Sequence, residues 1–379
     1  MSIFPRFEWF KSHSSDMCIS STYRSFFTFF WLSKWFKIQP FFLSGHEAVL
    51  LFFVLSGFLI TYGLLSEQKQ TEKIDLRNFY LGRFLRIAPL QFLTVFISFI
   101  MYLTFYGVIP SYQEPAHPVS TFLLLLLIPN ITSLIDHVVN AASHIWSLGV
   151  ENEFYLFWPL LLIRFRKSKL TMIISVILIK IIIEMILLPL FVTLIYSNHL
   201  TSLITQFLYL FPIEQMAVGG CGAWLVINDK QQILKFLFHP ITQLITYLTI
   251  GWLIYRNLYG IPHYIETFIV PLIFLSLIIN VSCNPKPFFS YENRLLNYLG
   301  KISYGIYMFH PSIAFVIIWC TYKHVAVNSH AYIVYIYLFV LSITIGIAGL
   351  SHKYLEVPIM KLRRKRAHVD TSSTIAFSH

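Results

Sequence analysis

The sequence predicts an all-α fold: a polytopic membrane protein of about ten transmembrane helices plus a re-entrant or interfacial segment. Composition is the first ground. Hydrophobic residues make up 56% of the 379 and charged residues 12%, whereas soluble domains carry about 25% charged residues. Mean hydropathy is +0.67. The second ground is a recurring apolar run of about 20 residues, the length that crosses a bilayer. The third is charge placement. The net charge of +11 is bunched into short basic clusters between these runs. That pattern reads as cytoplasmic loops and not as a nucleic-acid surface. The four cysteines, Cys18, Cys221, Cys283 and Cys320, are widely scattered and show no CxxC or Cys/His ligand spacing. Neither a disulfide framework nor a metal site is expected.

Taken in order, residues 1–21 form a polar N-terminal segment without an apolar core for a cleavable signal peptide. Residues 22–360 form the membrane domain, and residues 361–379 a basic cytoplasmic tail. The run at 22–44 is aromatic but broken by Lys34, Lys37 and Pro40, and is the weakest span. His46 to Leu65 is a clear span, with Ser56 and Gly57 small enough for close helix packing. Glu67 to Arg86 carries five Lys/Arg and is placed in the cytoplasm, ahead of a span at 88–110. The apolar run from Thr121 to Ile128 stops at Pro129 and is too short to cross. Two basic clusters, one before 88 and one after 164, belong on the same side. The spans at 88–110 and 148–164 already supply an even number of crossings, so 119–136 is read as re-entrant or interfacial. Spans follow at 170–196, 201–227, 237–256, 265–283, 298–322 and 331–350. Lys180 and Glu184 are four apart in the first of these, which suits either a neutralising ion pair or a site. Glu214 is a further intramembrane carboxylate, read either as a helix-pairing group or as part of a site.

The stretch from His144 to Pro159 is the most informative. It puts a histidine, a serine and two carboxylates at the mouth of a long apolar run. A charge at the entrance to a membrane helix is expensive and needs a reason. Glu151 and Tyr155 are four apart and share a helical face. Arg83 and Arg86, one turn apart before a span, read either as positive-inside anchors or as a clamp for phosphate oxygens. Ser303, Tyr307 and His310 also fall on one helical face.

Five segments together resemble one family. Trp146, Ser147, Leu148, Glu151, Phe154 and Tyr155 match a W-S-L-x-x-E-x-x-F/Y pattern. Phe52, Phe53, Ser56, Gly57, Phe58 and Ile60 match FFxxSGFxI. Arg83 and Arg86 match R-x-x-R. Gly300, Ser303, Tyr304, Tyr307 and His310 match G-x-x-S-Y-x-x-Y-x-x-H. Ser351, Glu356 and Pro358 match a closing S-x-x-x-x-E-x-P. In this order, over residues 46–360, they are similar to the membrane-bound acyltransferase family 3. The resemblance stops at the first span. Members usually carry an arginine and, eleven residues on, a histidine as general base, whereas Arg24 is followed at that distance by Trp35.

The resemblance implies an enzyme that moves an acyl group, expected to be acetyl, from acyl-CoA to a sugar hydroxyl of a cell-envelope glycan. Acyl-CoA is then the donor, and no metal is required. The partners are membrane lipid and a glycan or lipid-linked sugar. The expected place is the bacterial inner membrane. Glu151, His310 and His46 are the catalytic candidates. Arg83 and Arg86 are expected to hold the CoA phosphates. Trp146 and Tyr155 are positioned to stack on a sugar, and Ser147, Ser303 and Tyr307 to bind substrate. Transfer is expected to finish within this domain or in a partner. Two other readings stand beside this one: a catalytically impaired homologue that lacks the first-span histidine, and a transporter using Lys180, Glu184 and Glu214.

Overall fold

A computed structural model describes residues 45–105, 124–135, 144–194, 198–256, 265–289, 293–321 and 330–361. Every regular element among them is helical. In chain order they are α1 (Gly45–Thr71), α2 (Leu76–Phe105), α3 (Pro129–Ile135), α4 (Trp146–Arg164), α5 (Lys169–Ile182), α6 (Leu188–Leu194), α7 (Asn198–Tyr209), α8 (Ile213–Ile227), α9 (Gln231–Phe238), α10 (Pro240–Arg256), α11 (Val270–Cys283), α12 (Arg294–Thr321) and α13 (His330–Ser351). Single π-helical turns sit at Ile183–Leu187, Ile265–Ile269 and His352–Glu356. The chain is an all-α, multi-pass membrane protein.

Seven helices are long and apolar enough to cross a membrane, or eight when a bent pair is taken as one span. The count of about ten is therefore not reached by the described residues. The expected span at 22–44, with Arg24 and Trp35, lies outside them, as do residues 1–21 and those beyond 361. Helix α4 has the length, 19 residues, but Glu151, Asn152 and Glu153 occupy its first half and keep it out of the apolar set. The expected span at 237–256 falls almost wholly in α10, which meets the preceding α9 at 61°. His239 and Pro240 stand at the joint, and a proline there cannot continue the preceding helix. The span placed at 88–110 begins earlier, at Leu76, and carries Arg83 and Arg86 inside the helix. The segment placed at 119–136 contains α3, seven residues long and far too short to cross about 30 Å of hydrocarbon.

Helix α1 is the axis of the molecule. Its apolar window is 78% buried, against 11% for α5 and its continuation. Lipid tails are as apolar as leucine, so such helices associate by close packing and not by escape from water. Gly57 and Gly219 supply the closeness. A Cβ on Gly57 would lie 1.9 Å from the Met216 carbonyl oxygen, and one on Gly219 would lie 2.0 Å from that of Val54. Around this contact Phe53, Met216, Ala217, Phe154 and Trp158 form a packed core. The Trp158 indole N–H donates to the Thr61 hydroxyl at 2.8 Å, pinning α4 to α1. On the opposite side, α11 packs Phe274 and Ile278 against Phe58 and Leu55 of α1. Helix α12 pairs with α13 through Ile302, Ile306, Ile336 and Val340. Apolar side chains such as Phe96, Leu103, Ile179 and Leu338 remain exposed and face lipid in this setting.

Candidate active site

Helix α4 presents three residues at four-residue spacing, Ser147, Glu151 and Tyr155, all buried. That spacing makes a polar stripe down one face. Three other helices close over it. From α1, the Ser56 hydroxyl meets the Tyr155 hydroxyl at 2.6 Å. This hydroxyl pair lies by the Glu151 carboxylate, on which Arg83 and Arg86 act electrostatically from α2. The Arg83 guanidinium lies over the Tyr155 ring at 5.3 Å and over its own neighbour Phe79 at 5.7 Å. This shelter helps α2 tolerate Arg83 within its length. Glu151 is 3% exposed, and its Oε1 has no hydrogen-bond partner among the described residues. A buried carboxylate oxygen without a donor is costly, and here it lies within the electrostatic reach of two arginines.

The other two polar residues of that turn have different work. Asn130 of α3 donates to Glu153 at 3.0 Å. Asn152 donates to the Leu127 carbonyl at 2.8 Å. Gly149 allows the contact, because a Cβ there would lie 2.2 Å from the Asn130 amide oxygen. The two carboxylates are thus divided: Glu153 fastens the short helix and Glu151 faces inward.

At the upper end of the stripe a second cluster forms with α12. The Tyr307 hydroxyl donates to the His144 carbonyl at 2.5 Å. It shares a 2.6 Å bond with the Ser147 hydroxyl, which is then the donor. The His144 ring stands edge-on to Tyr307 at 5.3 Å and to His310 at 5.5 Å. His310 is fully buried. Its Nδ1 lies 2.7 Å from the Tyr307 carbonyl and 3.2 Å from that of Ile306, so Nδ1 carries the proton and Nε2 the lone pair. Burial, reinforced by the neighbouring His310, pushes the His144 pKa well below its ordinary value. The sequence singles out His144 as the histidine of the α4 stretch but gives it no role. Its one signal is its place at the head of the α4 stretch, and its partners are 163 and 166 residues away.

The remaining candidates divide. Trp146 packs edge-on against Phe53 at 6.1 Å. It also lines a small cavity of about 20 Å³ with Glu184, Glu214 and Gln215. Ser303 donates to the Gly300 carbonyl of its own helix at 2.9 Å. Tyr304, its neighbour, donates to the Ile87 carbonyl at 2.9 Å and ties α12 to α2. His46 falls in the first turn of α1, and its side chain lies outside the described residues.

The intramembrane charges form a separate unit. Lys180 pairs with Glu184 at 3.1 Å and approaches Glu214 at 3.9 Å. Its ammonium also donates to the carbonyls of Leu208 and Phe211 at 2.8 and 3.0 Å, where α7 gives way to α8. These carbonyls belong to a broken span, and a lysine satisfies them as a helix cap does. The ion-pair reading of Lys180 and Glu184 therefore accounts for their positions.

Comparison with known proteins gives one family. A profile described as an acyltransferase domain matches residues 12–351. An uncharacterized protein of Haemophilus influenzae is 31% identical over 248 residues, covering 61% of this chain and 97% of its own length. The O-acetyltransferase OatA of Staphylococcus aureus is 25% identical over 336 residues, covering 84% of this chain. A putative O-acetyltransferase of the same species is 24% identical over 360 residues. The chain spans about half the length of these staphylococcal relatives, 53% in both cases. No solved structure matches it.

Proposed function

The chain belongs to acyltransferase family 3 and is an acyltransferase, and from that premise we propose that it moves an acetyl group from acetyl-CoA to a hydroxyl of a cell-envelope glycan in the bacterial inner membrane. The observation that carries the reading is the buried Glu151 with one carboxylate oxygen unpartnered beside Ser56, Tyr155, Arg83 and Arg86. A hydroxyl is a weak nucleophile near neutral pH, so the reaction needs a base within reach and positive charge where the thioester oxygen becomes an oxyanion. Glu151 takes the proton of the acceptor hydroxyl as the new C–O bond forms. The arginines and the Tyr155 hydroxyl stabilise the tetrahedral oxyanion. Its collapse breaks the C–S bond, and the thiolate leaves and takes up the proton. The products are the ester and free CoA thiol. His310, with Nε2 bearing the lone pair and His144 against it, supplies a second base along the same stripe. This pair answers the absence of a histidine eleven residues after Arg24. The O-acetyltransferase names of the staphylococcal relatives favour an oxygen acceptor. The transporter reading is not favoured, because the Lys180 ammonium is engaged by Glu184 and by a broken helix end and the named relatives are O-acetyltransferases.

The test is transfer of radiolabelled acetyl from acetyl-CoA to a glycan extract of the source cell, in membranes holding the wild-type chain, Glu151→Gln or Arg86→Ala. Loss of a general base lowers rates by about 10²–10⁴-fold. That loss is expected for Glu151→Gln, with unchanged membrane insertion, and a large loss is also expected for Arg86→Ala. Wild-type rates in Glu151→Gln would remove Glu151 from the chemistry and leave His310 as the base to examine.

A further inference from the structure

The two arginines that the sequence offers as a phosphate clamp are turned into the bundle. Arg83 covers Tyr155, and both act on Glu151. A different set of cations faces water. At the basic end of the bundle, the ends of α1 and α8 and the link between α4 and α5 frame a pocket of about 690 Å³. Its rim carries Lys69, Arg166, Lys167 and Lys169 against one acid, Asp229. The Asp229 carboxylate is already engaged by the Gln231 side-chain amide at 2.5 Å. None of the four cations makes an ion pair among the described residues. Lys69 reaches the Ile227 carbonyl at 3.4 Å and Lys169 the Gln68 side chain, which holds both lysines at the pocket. The first turn of α5, Ser168 to Thr171, opens into the same space, so the unpaired N–H groups of a helix start add to the field. Trp224 lines the pocket, and Lys230 stands 5.3 Å above its ring.

We propose that this pocket holds the phosphate-bearing nucleotide end of the CoA donor, at a site separate from Arg83 and Arg86. The inference rests on the acyl-CoA reading given above. Four positive side chains and a helix start against one engaged carboxylate select for phosphate groups. The volume falls within the range of about 300–1,000 Å³ typical of ligand pockets and exceeds what a bare phosphate needs. Position agrees as well. Ser56, which bonds Tyr155 of the candidate active site, and Lys69 are both on α1, thirteen residues apart. At about 1.5 Å per residue that is roughly 20 Å along the axis, a distance that an extended pantetheine arm can span. The basic rim is thus one arm's length from Glu151. An anionic lipid headgroup offers the same phosphate chemistry, so the test separates the two sources.

Full-length protein in nanodiscs of phosphatidylcholine is titrated with CoA and with 3′-dephospho-CoA. Binding needs no acceptor and no turnover. The wild-type chain should bind CoA about tenfold more tightly, the worth of one charge-assisted contact. The triple variant Lys69→Gln, Arg166→Gln, Lys169→Gln should lose that preference, and Lys69→Arg with Lys169→Arg should keep it. A preference that survives the glutamine variant overturns the assignment, as does equal wild-type affinity for both ligands; either result leaves the donor reading standing. Wild-type protein that binds neither ligand sinks the donor reading and this inference together. A second arm adds phosphatidylglycerol and reads retained lipid by native mass spectrometry. If the glutamine variant loses only bound phosphatidylglycerol and keeps its CoA preference, the pocket belongs to lipid.

Discussion

Lys180 lies within an apolar helix and serves four groups at once: two carboxylates and two backbone carbonyls. Removing it strands the rest. Breaking a buried pair by taking one partner typically costs about 3–5 kcal/mol. Lys180→Met should therefore lower the thermal unfolding midpoint in detergent sharply, and adding Glu184→Leu and Glu214→Leu to it should recover most of the loss. A single Lys180→Met as stable as wild type would show that the network carries no structural load. The residue scale also shows what a sequence can and cannot display. The four-residue step from Lys180 to Glu184 is visible in one dimension, and so is the step from Glu151 to Tyr155. Glu214 joins Lys180 from 34 residues away, and His144 meets Tyr307 from 163. No local spacing encodes either contact, because both arise only when separate helices pack.

At the scale of the element, the contact between α1 and α8 turns on two glycines. A Cβ on Gly57 would enter the space of a backbone carbonyl, and backbone cannot rotate aside as a side chain can. Gly57→Ala should destabilise the fold by about 1–3 kcal/mol or more, as overpacking does. Gly63 lies on the same helix, and a Cβ there would meet nothing within 4 Å. Gly63→Ala should be neutral or stabilising by up to about 1 kcal/mol, because alanine is the better helix former. The two positions lie less than two turns apart on one helix, so paired unfolding curves compare them directly; equal midpoints would refute the close contact. The presence of most helices is legible from apolar runs, since a bilayer fixes both their length and their character. Their boundaries are less so. The early start of α2 is hidden because Arg83 and Arg86 read as loop charges, whereas the rings of Phe79 and Tyr155 shelter Arg83 inside the helix. The bend between α9 and α10 is marked by Pro240, yet a run of apolar residues on both sides disguises it.

At the scale of the molecule, the basic clusters after α1, after α4 and after α8 meet at one end of the bundle, where Lys69, Arg166 and Asn228 line the same pocket. Charge placement along the chain anticipates this, because the positive-inside bias acts on each loop separately. It follows that a cysteine at Lys230 and one at Asn198 should lie on opposite faces of the membrane. In a chain freed of its native cysteines, an impermeant thiol reagent applied to intact cells should label the cysteine at Asn198 and spare the one at Lys230. Labelling of both, or of neither, would overturn the topology. The inward arginines have a consequence for assembly. Seventy-two residues separate Arg83 from Tyr155, roughly 4–14 seconds of synthesis at about 5–20 residues per second. During that interval the guanidinium has Phe79 for shelter but neither Tyr155 nor Glu151. Until α4 arrives the arginine lacks the ring and the carboxylate that hold it inward, so α2 is expected to take its final place against α1 only after α4 is made. The same charges that serve the finished site thereby set the order in which a ribosome can deliver its walls.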